Sequence, residues 1–111
     1  MSEEFRNTSI LLMQHPVMYK PYDELSNDEL RRAYDLSRSL TDFLVDENYT
    51  LLDYVQMARI QFLLGQLAYN LGEDEEKTIS YFRIGFQYLD KGGIDLSINK
   101  WAELMSIRSK E

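Results

Sequence analysis

The stretch ARIQFLLGQLAYNLGEDEEKTISYFRIGFQYLDK, residues 58–91, decides how the chain folds. It holds two amphipathic helical patterns joined by a tight turn containing Gly72. Gly65, Ala68 and Gly72 fall where one helix must come close to another. Phe82, Gly85 and Phe86 recur at matching offsets in the partner helix. Small residues facing large ones at helical spacing describe two rods built to stack. They point to a protein that holds other proteins rather than one that transforms a substrate.

Reading outward, the helix that contains Gly65 should run from about Leu51 to Leu71. Leu51, Val55, Ala58, Phe62 and Tyr69 line one side, and Met57, Ile60, Leu64, Leu67, Ala68 and Leu71 line another. Only Asp53, Gln56, Arg59, Gln66 and Asn70 form a polar strip, so this helix belongs in the middle of a bundle. Thr50-x-x-Asp53 has the form of a capping box. After Gly72, the run Glu73-Asp74-Glu75-Glu76 places carboxylates at the positive end of the next helix. A calcium loop would alternate ligands with spacers and a turn glycine, and this run does not. The following stripe is Ile79, Phe82, Phe86 and Leu89, with Tyr81, Gly85 and Tyr88 beside it. Lys91-Gly92-Gly93 ends that helix, and a last one should start near Asp95, carrying Ile98, Trp101, Leu104 and Met105.

Upstream, Ser26-x-x-Glu29 is a capping box opening a helix whose apolar positions are Leu30, Ala33, Tyr34, Leu40, Phe43 and Leu44. Residues 1–26 read as a lead-in. Glu3 to Gln14 can form a short helix with Phe5, Ser9, Leu12 and Met13 on one side. Pro16 and Pro21 keep His15–Tyr22 extended, and Val17, Met18 and Tyr19 are expected to strap across the bundle. No segment alternates as a surface strand does. The expected fold is therefore all-α: an antiparallel bundle of four main helices over residues 27–109, with a short N-terminal helix or strap.

Composition narrows the function. Apolar residues make up 44% and charged residues 28% of 111 positions, ordinary values for a packed single domain. A formal charge of −7 opposes binding to nucleic acid or to an anionic membrane, both of which need a cationic face. With no apolar run near the roughly 18 residues of a span, and no basic leader, the chain is expected to be cytoplasmic. Zero cysteines removes thiolate metal sites and disulfides. With one histidine, His15, metal binding would fall to carboxylates alone, no Glu-x-x-His arrangement exists, and no serine stands on a strand-to-helix elbow to pair with it. Gly92-Gly93 lacks the Lys-Ser/Thr of a phosphate loop. No enzyme and no cofactor are expected.

The hairpin at 58–91 resembles a tetratricopeptide repeat. Leu64-Gly65 matches that family's Leu-Gly pair, Ala68 stands at its aromatic, and Gly72 matches its turn glycine. With one extra residue in the turn, Thr78 and Gly85 take the two Ala positions and Phe82 the aromatic. Trp101-x-x-Leu104 looks like the opening of a further repeat, 40 residues after Gln61-x-x-Leu64. The departures are Gln61 for the usual Trp, Ala68 for Tyr, and no Pro after Leu89. The resemblance implies a groove lined by the hairpin's first helix, at Arg59, Phe62, Gln66, Tyr69 and Asn70, that takes a protein or peptide segment. Phe62 stands where a cation of the family's carboxylate clamp would be, and packing of Phe62 and Tyr69 into the core is the competing reading. Too few repeats are present to cover a solenoid core, so homodimerisation is expected, anchored on Trp101 and Met105. The expected function is a protein–protein interaction module: a small adaptor, chaperone-like holder or assembly factor. An acidic inhibitor that mimics nucleic acid in a basic groove is the alternative, and a small lyase or hydrolase built around His15 is a third.

Overall fold

The structure is a computed structural model that describes residues 3–43 and 51–93, with side chains for 3–42 and 54–93. The described residues form one short and three long helices: α1 (Glu3–Met13), α2 (Asn27–Phe43), α3 (Leu51–Asn70) and α4 (Glu75–Lys91). Two single 3-10 turns, Pro16–Met18 and Tyr22–Glu24, connect α1 to α2. No strand occurs among the described residues, and the all-α fold follows. The last helix expected from about Asp95, with Trp101 and Met105, and the box at Thr50-x-x-Asp53 lie outside the described residues.

Helix boundaries follow local chemistry. The Ser26 backbone N–H donates to Glu29 Oε1 at 2.9 Å, and the Glu29 N–H donates to Ser26 Oγ at 3.1 Å. Each residue thus satisfies a donor the helix leaves unpaired. Asp74 caps α4, accepting from the Lys77 N–H, while Glu75 and Glu76 occupy the first turn against the dipole. Gly72 turns the chain between α3 and α4 at φ +75°, a left-handed conformation that costs a side-chain-bearing residue energy.

α3 sits between two apolar clusters. Its Leu63, Leu64, Leu67 and Ala68 join Leu12 of α1, Val17 and Leu25 of the connector, and Leu30, Ala33, Tyr34, Leu36 and Leu40 of α2. Ala58 and Phe62 instead meet Leu89, Phe82 and Phe86 of α4. The two-sided pattern of the sequence is this division. The lead-in is part of the same core: Val17 is fully buried, Met18 half-buried and Tyr19 exposed.

Contact between α3 and α4 is reciprocal. A Cβ placed on Gly65 would stand 2.6 Å from the Phe82 ring, and one on Gly85 would stand 2.6 Å from the Phe62 ring. As the residue number on α3 falls by three, its partner on α4 rises by three, the signature of antiparallel rods. Each phenyl fills space the opposite helix leaves by omitting a methyl. This pairing also sets the rotation of α4. Thr78, Gly85 and Leu89 face inward, so Ile79, expected on the inner stripe, is 43% exposed. Met13 of α1 likewise points outward rather than joining Leu12.

Phe62 is buried and boxed by two other rings, whereas Phe82 is half-exposed and can yield. Gly85→Ala is therefore expected to destabilise the protein by about 1–3 kcal/mol through overpacking. Gly65→Ala should cost less, because Phe82 can shift and alanine favours the helix by up to ~1 kcal/mol. Urea denaturation of the two variants checks the order.

Candidate functional site

Arg59, Gln66 and Asn70 fall on one strip of α3 because their spacings of seven and four residues return to the same side of the helix. Arg59 and Asn70 are exposed and Gln66 is half-buried. Gln66 is engaged twice. Its side-chain oxygen accepts from the Tyr22 hydroxyl of the connector, and its backbone carbonyl accepts from Asn70 Nδ2 at 2.7 Å. The connector therefore covers the middle of the strip and leaves its ends free. Tyr69 stands beside Asn70 and is 75% exposed.

Phe62 leaves this set. Only 3% exposed, it stacks on Phe82 with centroids 6.1 Å apart and meets Phe86 edge-on at 5.1 Å. The socket at Gly85 draws the ring onto α4 and away from any groove, so it is a core residue. The structure brings together Arg59, Gln66 and Asn70, with Tyr69 at their edge, and separates Phe62 from them.

His15 is 8% exposed and caps the first 3-10 turn. Its Nδ1 accepts from the Val17 N–H at 2.9 Å, which assigns the ring proton to Nε2. Burial lowers its pKa, opposed by the carboxylate and backbone carbonyl of Glu29 and aided by Arg32. The ring anchors the connector, because the residue whose N–H it accepts, Val17, plugs the core.

A second cluster lies where α2 meets α4. The Tyr34 and Tyr81 hydroxyls hydrogen-bond at 2.5 Å, with the rings edge-to-face. The Arg31 guanidinium and the Lys77 ammonium lie over the Tyr34 ring, 5.3 and 5.7 Å from its centroid. Both cations bind Glu73, at 3.1 and 3.3 Å. Burial acts to raise the Tyr34 pKa, but hydrogen bonds with Tyr81, Arg38 and Lys77 outweigh it and hold the phenol below its usual range. The apolar stripes of the sequence include Tyr34 and border Tyr81, but not the cations around them. The spacing of Arg31, Tyr34 and Arg38, matched by Lys77 and Tyr81, was the signal.

Among the described residues the other exposed large apolar side chains are Ile10, Leu11 and Met13 of α1, Tyr19 of the connector, and Ile79 and Ile84 of α4. Among the described residues no group of three His, Asp or Glu is placed to hold a metal ion. None of the described helices is long and apolar enough to cross a membrane. Compared with protein families, curated proteins and solved structures, the chain matches none.

Two outcomes are expected. Phe62→Ala should lower stability by about 3–5 kcal/mol, and Tyr69→Ala by no more than ~0.5 kcal/mol, read by denaturant melts. The lowered His15 pKa makes the unfolded chain take up a proton, below the ordinary value of 6.5, that the folded ring resists. Stability should thus be complete above that pH and fall as pH drops through it, until the folded ring also protonates. His15→Asn keeps a capping oxygen without a titrating ring, and its melts between neutral and mildly acidic pH should lack that part of the decline.

Proposed function

We propose that this chain is a protein–protein interaction module, a small cytoplasmic adaptor or assembly factor without a catalytic step. It holds a partner segment along the α3 strip, at the two ends the connector leaves free. The observation that carries this reading is Tyr69. It is the one large apolar side chain left exposed among those described on α3, a helix otherwise buried on two sides. An exposed tyrosine offers a broad apolar face and a hydroxyl at small entropic cost. Arg59 and Asn70 supply a cation and an amide on the same helix, which suits recognition of a peptide backbone and an acidic side chain.

The resemblance of residues 58–91 to a tetratricopeptide hairpin supports the same reading, since the hairpin's first helix would face the partner. The nucleic-acid mimic is less well supported, because several carboxylates have local work. Glu29 and Asp74 cap helices, and Glu73 pairs with two cations. Self-association through Trp101 and Met105 belongs to the same proposal. A concentration-dependent mass in light scattering would reveal it.

Affinity capture from the native lysate tests the strip. Relative to wild type, Tyr69→Ala and Arg59→Ala should each weaken retention of the captured partner about tenfold or more, as tyrosine and arginine anchors do. Equal retention by all three folded proteins would remove the strip from consideration.

A further inference from the structure

We propose that the seam between α2 and α4 at Tyr34 and Tyr81 is a binding site for a phosphate group. The group is held by the Arg38 guanidinium, the spare hydroxyl proton of the tyrosine pair and the Lys77 ammonium. The site stands apart from the α3 strip and does not depend on its role.

The chemistry of the cluster is unbalanced. Two phenols that share one hydrogen bond have a second hydroxyl proton left to donate. Around them stand Arg31, Arg38 and Lys77, which donate and cannot accept. The single carboxylate bonded within this group is Glu73, whose two oxygens are taken by Arg31 and Lys77. Asp35 and Asp42 lie near Tyr34 and Arg38 in sequence, but neither forms an ion pair among the described residues. Within the bonded cluster itself three cations face one carboxylate, in a chain of net charge −7.

Arg38 is exposed. It lies one helical turn beyond Tyr34, which places it on the same face of α2. The raised pKa of its guanidinium reflects hydrogen bonding to Tyr34 first, then the influence of Tyr81. An oxyanion there would accept from the guanidinium fork, a phenol and an ammonium, which approach from different elements. A tetrahedral phosphate has three oxygens to receive them, while a carboxylate has two. The acidic surroundings repel a polyanion such as nucleic acid, so a single phosphate monoester or free phosphate fits best.

The test uses the full chain labelled with 13C at the tyrosine ζ-carbon, titrated with inorganic phosphate at constant ionic strength. Saturable shifts of the Tyr34 and Tyr81 resonances are expected, with a millimolar dissociation constant. Arg38→Gln should weaken binding about tenfold, the effect of losing a charge-assisted hydrogen bond. Tyr81→Phe, followed at Tyr34, should weaken it to a similar extent. Arg83→Gln, an exposed arginine elsewhere on α4, should leave it unchanged. Circular dichroism verifies folding of each variant. No shift in wild type, or an equal shift in Arg38→Gln, overturns the proposal. Acetate binding as tightly as phosphate overturns the tetrahedral assignment. A parallel titration with phosphoserine identifies the source: tighter binding than inorganic phosphate assigns the site to a phosphorylated side chain, weaker binding to the free ion.

Discussion

Two phenyl rings and two absent methyl groups fix α3 against α4, and much of the molecule is arranged around that pairing. Phe62 occupies the space above Gly85, and Phe82 the space above Gly65. Because the exchange is mutual, it defines register as well as distance. Sliding one rod by a turn would set both rings against side chains instead of against glycine. Dispersion contacts in such a socket are individually small, but a close-packed interior makes them collectively decisive. With α4 fixed in this way, the other side of α3 is left for α2 and α1, and the connector closes over what remains.

The two halves of the molecule are held by different chemistry. The α3–α4 contact is built largely of aromatic rings, including Tyr54 beside Tyr88 at 6.5 Å. The α1–α2–α3 contact is mainly aliphatic and is finished by polar latches: His15 on the Val17 amide, Tyr22 on Gln66, and the Ser26–Glu29 box. Tyr34 and Tyr81 then join α2 to α4 directly. The tyrosines thus tend to sit where an apolar surface ends and a polar partner begins, as an amphipathic ring should. Two oxygens break the pattern: Ser37 Oγ and Gln61 Oε1 are buried without a partner among the described residues.

Much of this was legible in the sequence. The two apolar sides of α3, the Ser26–Glu29 box, the Gly72 turn and the close approach at Gly65 and Gly85 all follow from spacing and residue type. The rotation of α4 did not, because a glycine carries no hydrophobic signal, so the stripe was centred on Ile79 and Phe86 instead of Thr78 and Gly85. Phe62 and Tyr69 lie seven residues apart and look equivalent by period. What separates them is the neighbour. The antiparallel register sets Phe62 against the opening at Gly85, but brings Tyr69 level with Thr78, where no such opening exists. The site suffered for the same reason: which aromatic is buried depends on the opposite helix, not on its own. The tyrosine–cation cluster is not legible in the sequence because its members come from two helices far apart in the chain: the tyrosines read as apolar-stripe residues and the cations as a solvated face.

Glycine serves two unlike purposes in this hairpin. At Gly65 and Gly85 the backbone is ordinary helix and the constraint is room. At Gly72 nothing lies within 4 Å of where a Cβ would be, and the constraint is handedness alone, since φ is +75°. Chemical synthesis could separate the two, because a mirror-image D-alanine prefers the left-handed region. Placed at position 72 it would stiffen the bend without touching a neighbour, and would tie the two rods together more firmly than the natural residue does.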